Sequence, residues 1–249
     1  MDSLALLGFA GGMTALATGL GAVPVFVLGD RARQLRPLLW GGTVGLMSVA
    51  AVVGLLLPAL EEGDPGAVAA GLIAGVVFLL ASRRWLEGRD VHVGRLRGAS
   101  VRRAVLVFGV LLVHSLPEGF AIGTAFASDT EGLALFVILA IALQNVPEGT
   151  SVAIPMQSAG FGRKQQFWAA VVTSAPQPVG AIVAYLAVEV VEGLLPFSFG
   201  FAAGAMLALV LFELVPQAFA RDGRAVALAG AALGAALMLA LAAGLGVEG

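Results

Sequence analysis

Eight apolar runs, each near the length of a membrane span and separated by short charged stretches, limit what this chain can fold into more than any other feature. They lie at roughly 4 to 28, 38 to 60, 66 to 82, 104 to 127, 132 to 156, 166 to 190, 196 to 219 and 225 to 246. A helix of about 20 apolar residues crosses a hydrocarbon layer of ~30 Å. The expected fold class is therefore all-α integral membrane, one transmembrane domain over residues 1–249 with eight transmembrane helices. Composition agrees, with 59% hydrophobic and 12% charged residues where soluble domains carry about a quarter charged. The start, Met1-Asp2-Ser3, lacks the basic region of a secretory leader, so the first run is expected to be a retained helix.

Charge placement supports the count of eight. Arg31, Arg33 and Arg36, then Arg83, Arg84, Arg89, Arg95, Arg97, Arg102 and Arg103, then Arg163 and Lys164, then Arg221 and Arg224 are all 14 basic residues, and they fall on alternate loops. The other loops and the two ends carry acids such as Asp2, Glu61, Glu62, Asp64, Asp129, Glu131, Glu189, Glu192 and Glu248, and no base. The positive-inside bias makes the first set cytoplasmic, including a loop over 83–103, and puts both termini outside. The outer acids read mainly as solvated loop charges, with concentration of cations at an entrance as the alternative.

Three acids, Glu118, Glu148 and Glu213, fall within apolar spans, and the span limits leave no Lys or Arg inside the membrane to pair with them. A carboxylate in hydrocarbon costs at least ~2.5 kcal/mol. Each must be protonated, face water or be balanced by a cation. Two of them belong to an echoed motif, HSLPEGF at 114–120 and QNVPEGT at 144–150. Residues i and i+4 share a helix face, so His114 with Glu118 and Gln144 with Glu148 point the same way from spans four and five. A short loop makes these spans antiparallel neighbours, and an imidazole, an amide oxygen and two carboxylates form a plausible divalent-cation cage. With no cysteine in the chain, a thiolate site is excluded. Pro117 and Pro147 each remove a helix hydrogen bond, so breaks or kinks are expected there, with Gly119 and Gly149 allowing a neighbouring helix to come close.

GGTVGLM at 41–47 and GFAAGAM at 200–206 also resemble each other, in spans that run in opposite directions. This suggests a 3+2+3 inverted-repeat bundle about a central pair of helices, the architecture used for alternating access around a midplane site. Close helix packing alone is the alternative source of that glycine spacing.

With HSLPEGFAIG in span four, QNVPEGTSVAIPM in span five, SAPQPVGA in span six and FELVP in span seven, the chain resembles the ZIP (Zrt/Irt-like) family of divalent metal transporters, in its GufA-like bacterial branch. The resemblance covers the full chain. It implies an eight-helix bundle with a metal site between helices four and five and import of Zn²⁺ or of Fe²⁺, Mn²⁺ or Cd²⁺ to the cytoplasm. It implies a first site of His114, Glu118, Gln144 and Glu148, with Met47 as a thioether ligand, although methionine is equally ordinary packing. A second site would share the glutamates and add Ser115, Asn145 and Gln177. Where this chain has Ser115 and Gln177 the family usually shows Asn and Glu, so the second site has lost charge and a ligand. Glu213 would help receive the ion on exit, a solvated interfacial acid being the plainer reading. The loop holding His92 among arginines reads as a lipid contact rather than a metal collector.

The function expected is transport of a divalent cation, zinc first, in a cell (inner) membrane. The partners are the metal ion and membrane lipids, with no nucleic acid; the sequence leaves the oligomeric state open, a homodimer being one option because dimers are common among such proteins. Two rivals stand beside it. A membrane-embedded zinc hydrolase would need more histidines than the single His114 within a span, and HExxH is missing. A carrier of another solute, or a ZIP-like protein that moves no metal, would follow if Ser115 and Gln177 weaken the centre.

Overall fold

The computed structural model describes residues 3–87, 99–191, 193–219 and 223–247. Among them, eight helical segments are long and apolar enough to cross a membrane: Ser3–Leu28, Arg36–Glu61, Pro65–Leu86, Ala104–Ala127, Leu133–Ser158, Arg163–Val190, Leu194–Ala218 and Arg224–Gly244. They match the eight runs of the sequence. Their outward faces carry exposed Leu, Ile, Val, Phe and Trp side chains, as lipid contact requires. The polar residues collect inside instead: His114, Glu118, Gln144, Asn145 and Gln177 have no exposed surface at all.

The helix of span three continues to Glu87 and that of span four begins at Ala99. The loop expected over 83–103 is therefore shorter at both ends, and Arg83 sits on a helix rather than in a loop. Residues 88–98, with His92 and the expected lipid contact, lie outside the described residues.

The helices break in places the prolines of the echoed motif do not indicate. Helix Ala99–Ala127 runs on through Pro117, and Leu133–Ser158 through Pro147 and Pro155. A proline inside a helix deletes one hydrogen bond, but both helices continue through it, each held by the neighbours packed on its buried face. Span one breaks instead at Gly21 and Ala22, between Ser3–Leu20 and Val23–Leu28, and span six at Ser174 and Ala175, between Arg163–Thr173 and Pro176–Val190. Spans two and seven each contain one π-helical stretch, Val52–Leu56 and Val210–Leu214. Each is followed closely by a proline, Pro58 or Pro216, and such widened turns are frequent at functional sites.

Glycine packing reveals the internal symmetry. A Cβ on Gly41 or Gly45 of span two would fall on the carbonyls of Ala227 or Ala231 in span eight; one on Gly200 or Gly204 of span seven would fall on those of Val68 or Leu72 in span three. Likewise Gly119 of span four lies on the backbone of Gln177 in span six, and Gly149 of span five on that of Thr18 in span one. The offset from Gly41 to Gly200 is also that from Thr18 to Gln177 and from Gly71 to Gly230. Spans one to three and six to eight thus make the same neighbours in the same register, with spans four and five exchanging roles. Small residues permit this because lipid tails offer no hydrophobic drive and backbones must approach closely to gain dispersion energy.

Candidate metal centre

Spans four and five bring the echoed motifs face to face. Ligand-capable atoms of His114, Glu118 and Glu148 all lie within 4.8 Å of one another. His114 Nε2 stands 3.5 Å from Glu118 Oε1, and Gln144 Nε2 donates to the same Oε1 at 2.6 Å. Four of the atoms gathered here make no hydrogen bond: both ring nitrogens of His114, Gln144 Oε1 and Glu148 Oε1. Buried polar atoms are nearly always paired, and leaving one unpaired costs about 1–3 kcal/mol. A cluster of them, rich in lone pairs and carrying two carboxyl groups, is the chemistry that a dehydrated divalent cation satisfies.

The neighbouring polar cluster is built in the opposite way. Gln177 Nε2 donates to Glu118 Oε2 at 2.6 Å, and its Oε1 accepts from Thr14 Oγ1 at 2.7 Å and from Asn145 Nδ2 at 3.3 Å. Asn145 Nδ2 also donates to the Thr14 carbonyl at 2.7 Å, and Thr18 and Ser174 share a hydroxyl bond of 2.6 Å. Ser115 turns away, its hydroxyl bonded to the carbonyl of Leu111 one turn back at 3.0 Å. The three residues expected at a second site are thus buried, but each is hydrogen-bonded to protein, and Gln177 is the one bonded to Glu118. Ser174 opens the span-six motif SAPQPVGA, but no motif singles out Thr14 or Thr18. The only signal is the spacing of four between the two threonines, which puts them on one face of span one.

Met47 is fully buried in the apolar core. At the same offset in the second repeat stands Met206, buried to the same degree in the same core. Both serve core packing.

A cavity of about 220 Å³ is lined by Trp40, Thr43, Glu148, Ser151, Arg83 and Glu213 among others. Trp40 Nε1 donates to Ser151 Oγ at 2.6 Å, and the Arg36 guanidinium lies 4.1 Å from the Trp40 ring centre. The sequence leaves Glu213 without a base in the membrane, but Arg83 Nε lies 3.0 Å from Glu213 Oε1. Hydropathy falls off at Ser82 and so places the arginine in a loop, whereas the helix carries it one turn further.

Eight apolar helices around a buried carboxylate and imidazole cluster define an integral membrane protein of the ion-handling class. Comparison with known proteins narrows this. The family model described as ZIP zinc transporter matches residues 87–242. The zinc transporter GufA of Myxococcus xanthus is 32% identical over 220 residues, covering 81% of this chain and 84% of the relative. ZIPB of Bordetella bronchiseptica, also a zinc transporter, is 32% identical across 97% of this chain and 81% of its own length. A protein of Arabidopsis thaliana is 35% identical over 91% of this chain, which spans 37% of that relative's length. This chain belongs to the ZIP zinc transporter family, a family of transporters rather than enzymes, and the hydrolase alternative falls with that membership.

Proposed function

We propose that this protein moves a divalent cation, zinc first, across the membrane through one intramembrane centre made of His114, Glu118, Gln144 and Glu148. The observation that carries this reading is the contrast between the two polar clusters. Atoms without partners converge at the echoed motifs, whereas Asn145 and Gln177 are hydrogen-bonded to their neighbours. The centre therefore takes a single ion, and Gln177 gives Glu118 the hydrogen bond that a second ion would otherwise supply as charge.

Imidazole, carboxylate and amide ligands suit borderline first-row ions, with affinity alone a poor guide to which. The names of the bacterial relatives favour zinc, and Fe²⁺, Mn²⁺ and Cd²⁺ fit the same ligands. Import follows from sidedness. The loops that carry arginine belong in the cytoplasm by the positive-inside bias, both ends lie outside, and the cavity that Glu148 lines is also lined by Arg83, on the arginine-bearing side. A bacterial inner membrane is the setting that this asymmetry fits. The paired repeats support a rocking of outer spans about the site.

Zn²⁺ flux into proteoliposomes tests the reading. Wild type should transport, and Glu118→Ala and Glu148→Ala should each abolish uptake. Equal flux in all three, or none in wild type, would overturn it.

A further inference from the structure

Arg83 and Glu213 line the same cavity as Glu148. Arg83 Nε lies 3.0 Å from Glu213 Oε1, Arg83 Nη1 donates to the Phe212 carbonyl at 3.2 Å, and Gln217 Nε2 donates to Glu213 Oε2 at 3.2 Å. The guanidinium thus ties the end of span three to the π-helical stretch Val210–Leu214 of span seven. Much of the wall is apolar, with Val107, Val110, Leu111 and Leu214 on it. Among the described residues, the charged side chains lining this cavity are Glu148 and this oppositely charged pair.

We propose that Arg83 is a tethered cation that competes with the departing metal ion for Glu213, so that the exit carboxylate passes the ion on without holding it. This rests on the transport reading above. Physical chemistry favours it on three counts. Glu213 is only 18% exposed and Arg83 34%, so the pair is partly dehydrated, and a bare carboxylate there would attract a divalent ion strongly. A group on a short tether competes at an effective concentration on the order of millimolar, enough to displace a weakly held ion but not one caged by several ligands. Arginine stays charged at any working pH and is weakly hydrated, so the competitor is permanent, and its hydrogen bond to the Phe212 carbonyl keeps it anchored beside Glu213 when Nε gives way to the ion.

The test counts bound Cd²⁺ on the full chain in detergent micelles by equilibrium dialysis, at concentrations rising to the millimolar range. Arg83→Gln should bind one equivalent more than wild type, in a weak additional site. Arg83→Lys, which keeps the charge, should bind the wild-type number. Arg83→Gln combined with Glu213→Gln should lose the added equivalent. No gain in Arg83→Gln, a gain in Arg83→Lys as well, or a gain that survives in the double variant would each overturn the proposal. The count does not depend on flux. Wild type that moves no zinc would sink the transport reading while leaving the count free to decide the role of Arg83.

Discussion

Gln177 reaches from span six to Glu118 on span four and donates a hydrogen bond of 2.6 Å to Oε2, while Thr14 on span one grips the other end of the same amide at 2.7 Å. The carboxylate acceptor at one end and the donors at the other together set which way the amide faces. With Oε1 occupied by Thr14 and Asn145, the NH₂ group is directed at the carboxyl group. One carboxyl oxygen is thereby claimed by protein, and the other, bonded by Gln144, is left to share with an ion.

Replacing that donor by an acceptor should change the number of ions held. Gln177→Glu puts a third carboxyl group beside Glu118 in place of the amide donor, so repulsion is relieved by a proton or, with zinc in excess, by a second cation. Zinc bound per chain, counted by elemental analysis of purified protein, should rise from one to two. An unchanged count would show that the carboxylate at 177 is insufficient to rebuild the second site.

Thr14→Val keeps the volume of the side chain and removes the hydroxyl. Gln177 Oε1 is then left with the longer 3.3 Å bond from Asn145. Weakening a buried amide's pairing costs about 1–3 kcal/mol, so the apparent melting temperature in detergent should fall. The zinc count should stay at one, because the orphaned polar atoms on spans four and five are untouched. A loss of zinc in this variant would place Thr14 in the metal centre itself.

His114→Gln makes span four carry the same side chain as span five at Gln144. Imidazole nitrogen favours zinc far more than an amide oxygen does, and oxygen donors suit harder ions such as Mn²⁺. Competition binding should show zinc affinity lowered by about tenfold or more, with Mn²⁺ affected less. Equal loss for both ions would mean that His114 shapes the pocket without ligating.

Gly45→Ala tests the packing of span two on span eight. The added Cβ would fall on the carbonyl of Ala231, and overpacking of this kind costs about 1–3 kcal/mol. Gly8→Ala is the control, since its added Cβ meets nothing within 4 Å. Thermal unfolding in detergent should separate the two clearly, and equal melting temperatures would remove the glycine contacts as an account of the bundle's register.

Much of the candidate site is legible in the residue order alone. His114, Glu118, Gln144 and Glu148 declare themselves by a spacing of four in an echoed motif, and a polar residue in a span is costly enough to demand a reason. The prolines mislead, because a missing backbone hydrogen bond marks where a helix is weakened and not where packing lets it break. Met47 is equally ambiguous. A buried thioether serves packing and ligation alike, and Met206 at the equivalent place shows that the core takes methionine in both repeats.

The linear order of residues is enough for the eight spans, the alternation of charge between their loops and the four polar residues that face one another across spans four and five. These depend on partition between lipid and water and on helical periodicity, both of which act locally along the chain. It is the packing of helices that decides which polar groups are already satisfied. Thr14 meets Gln177 across 163 positions and Arg83 meets Glu213 across two separate spans. No local pattern encodes such meetings, because they arise where glycine lets one backbone settle against another.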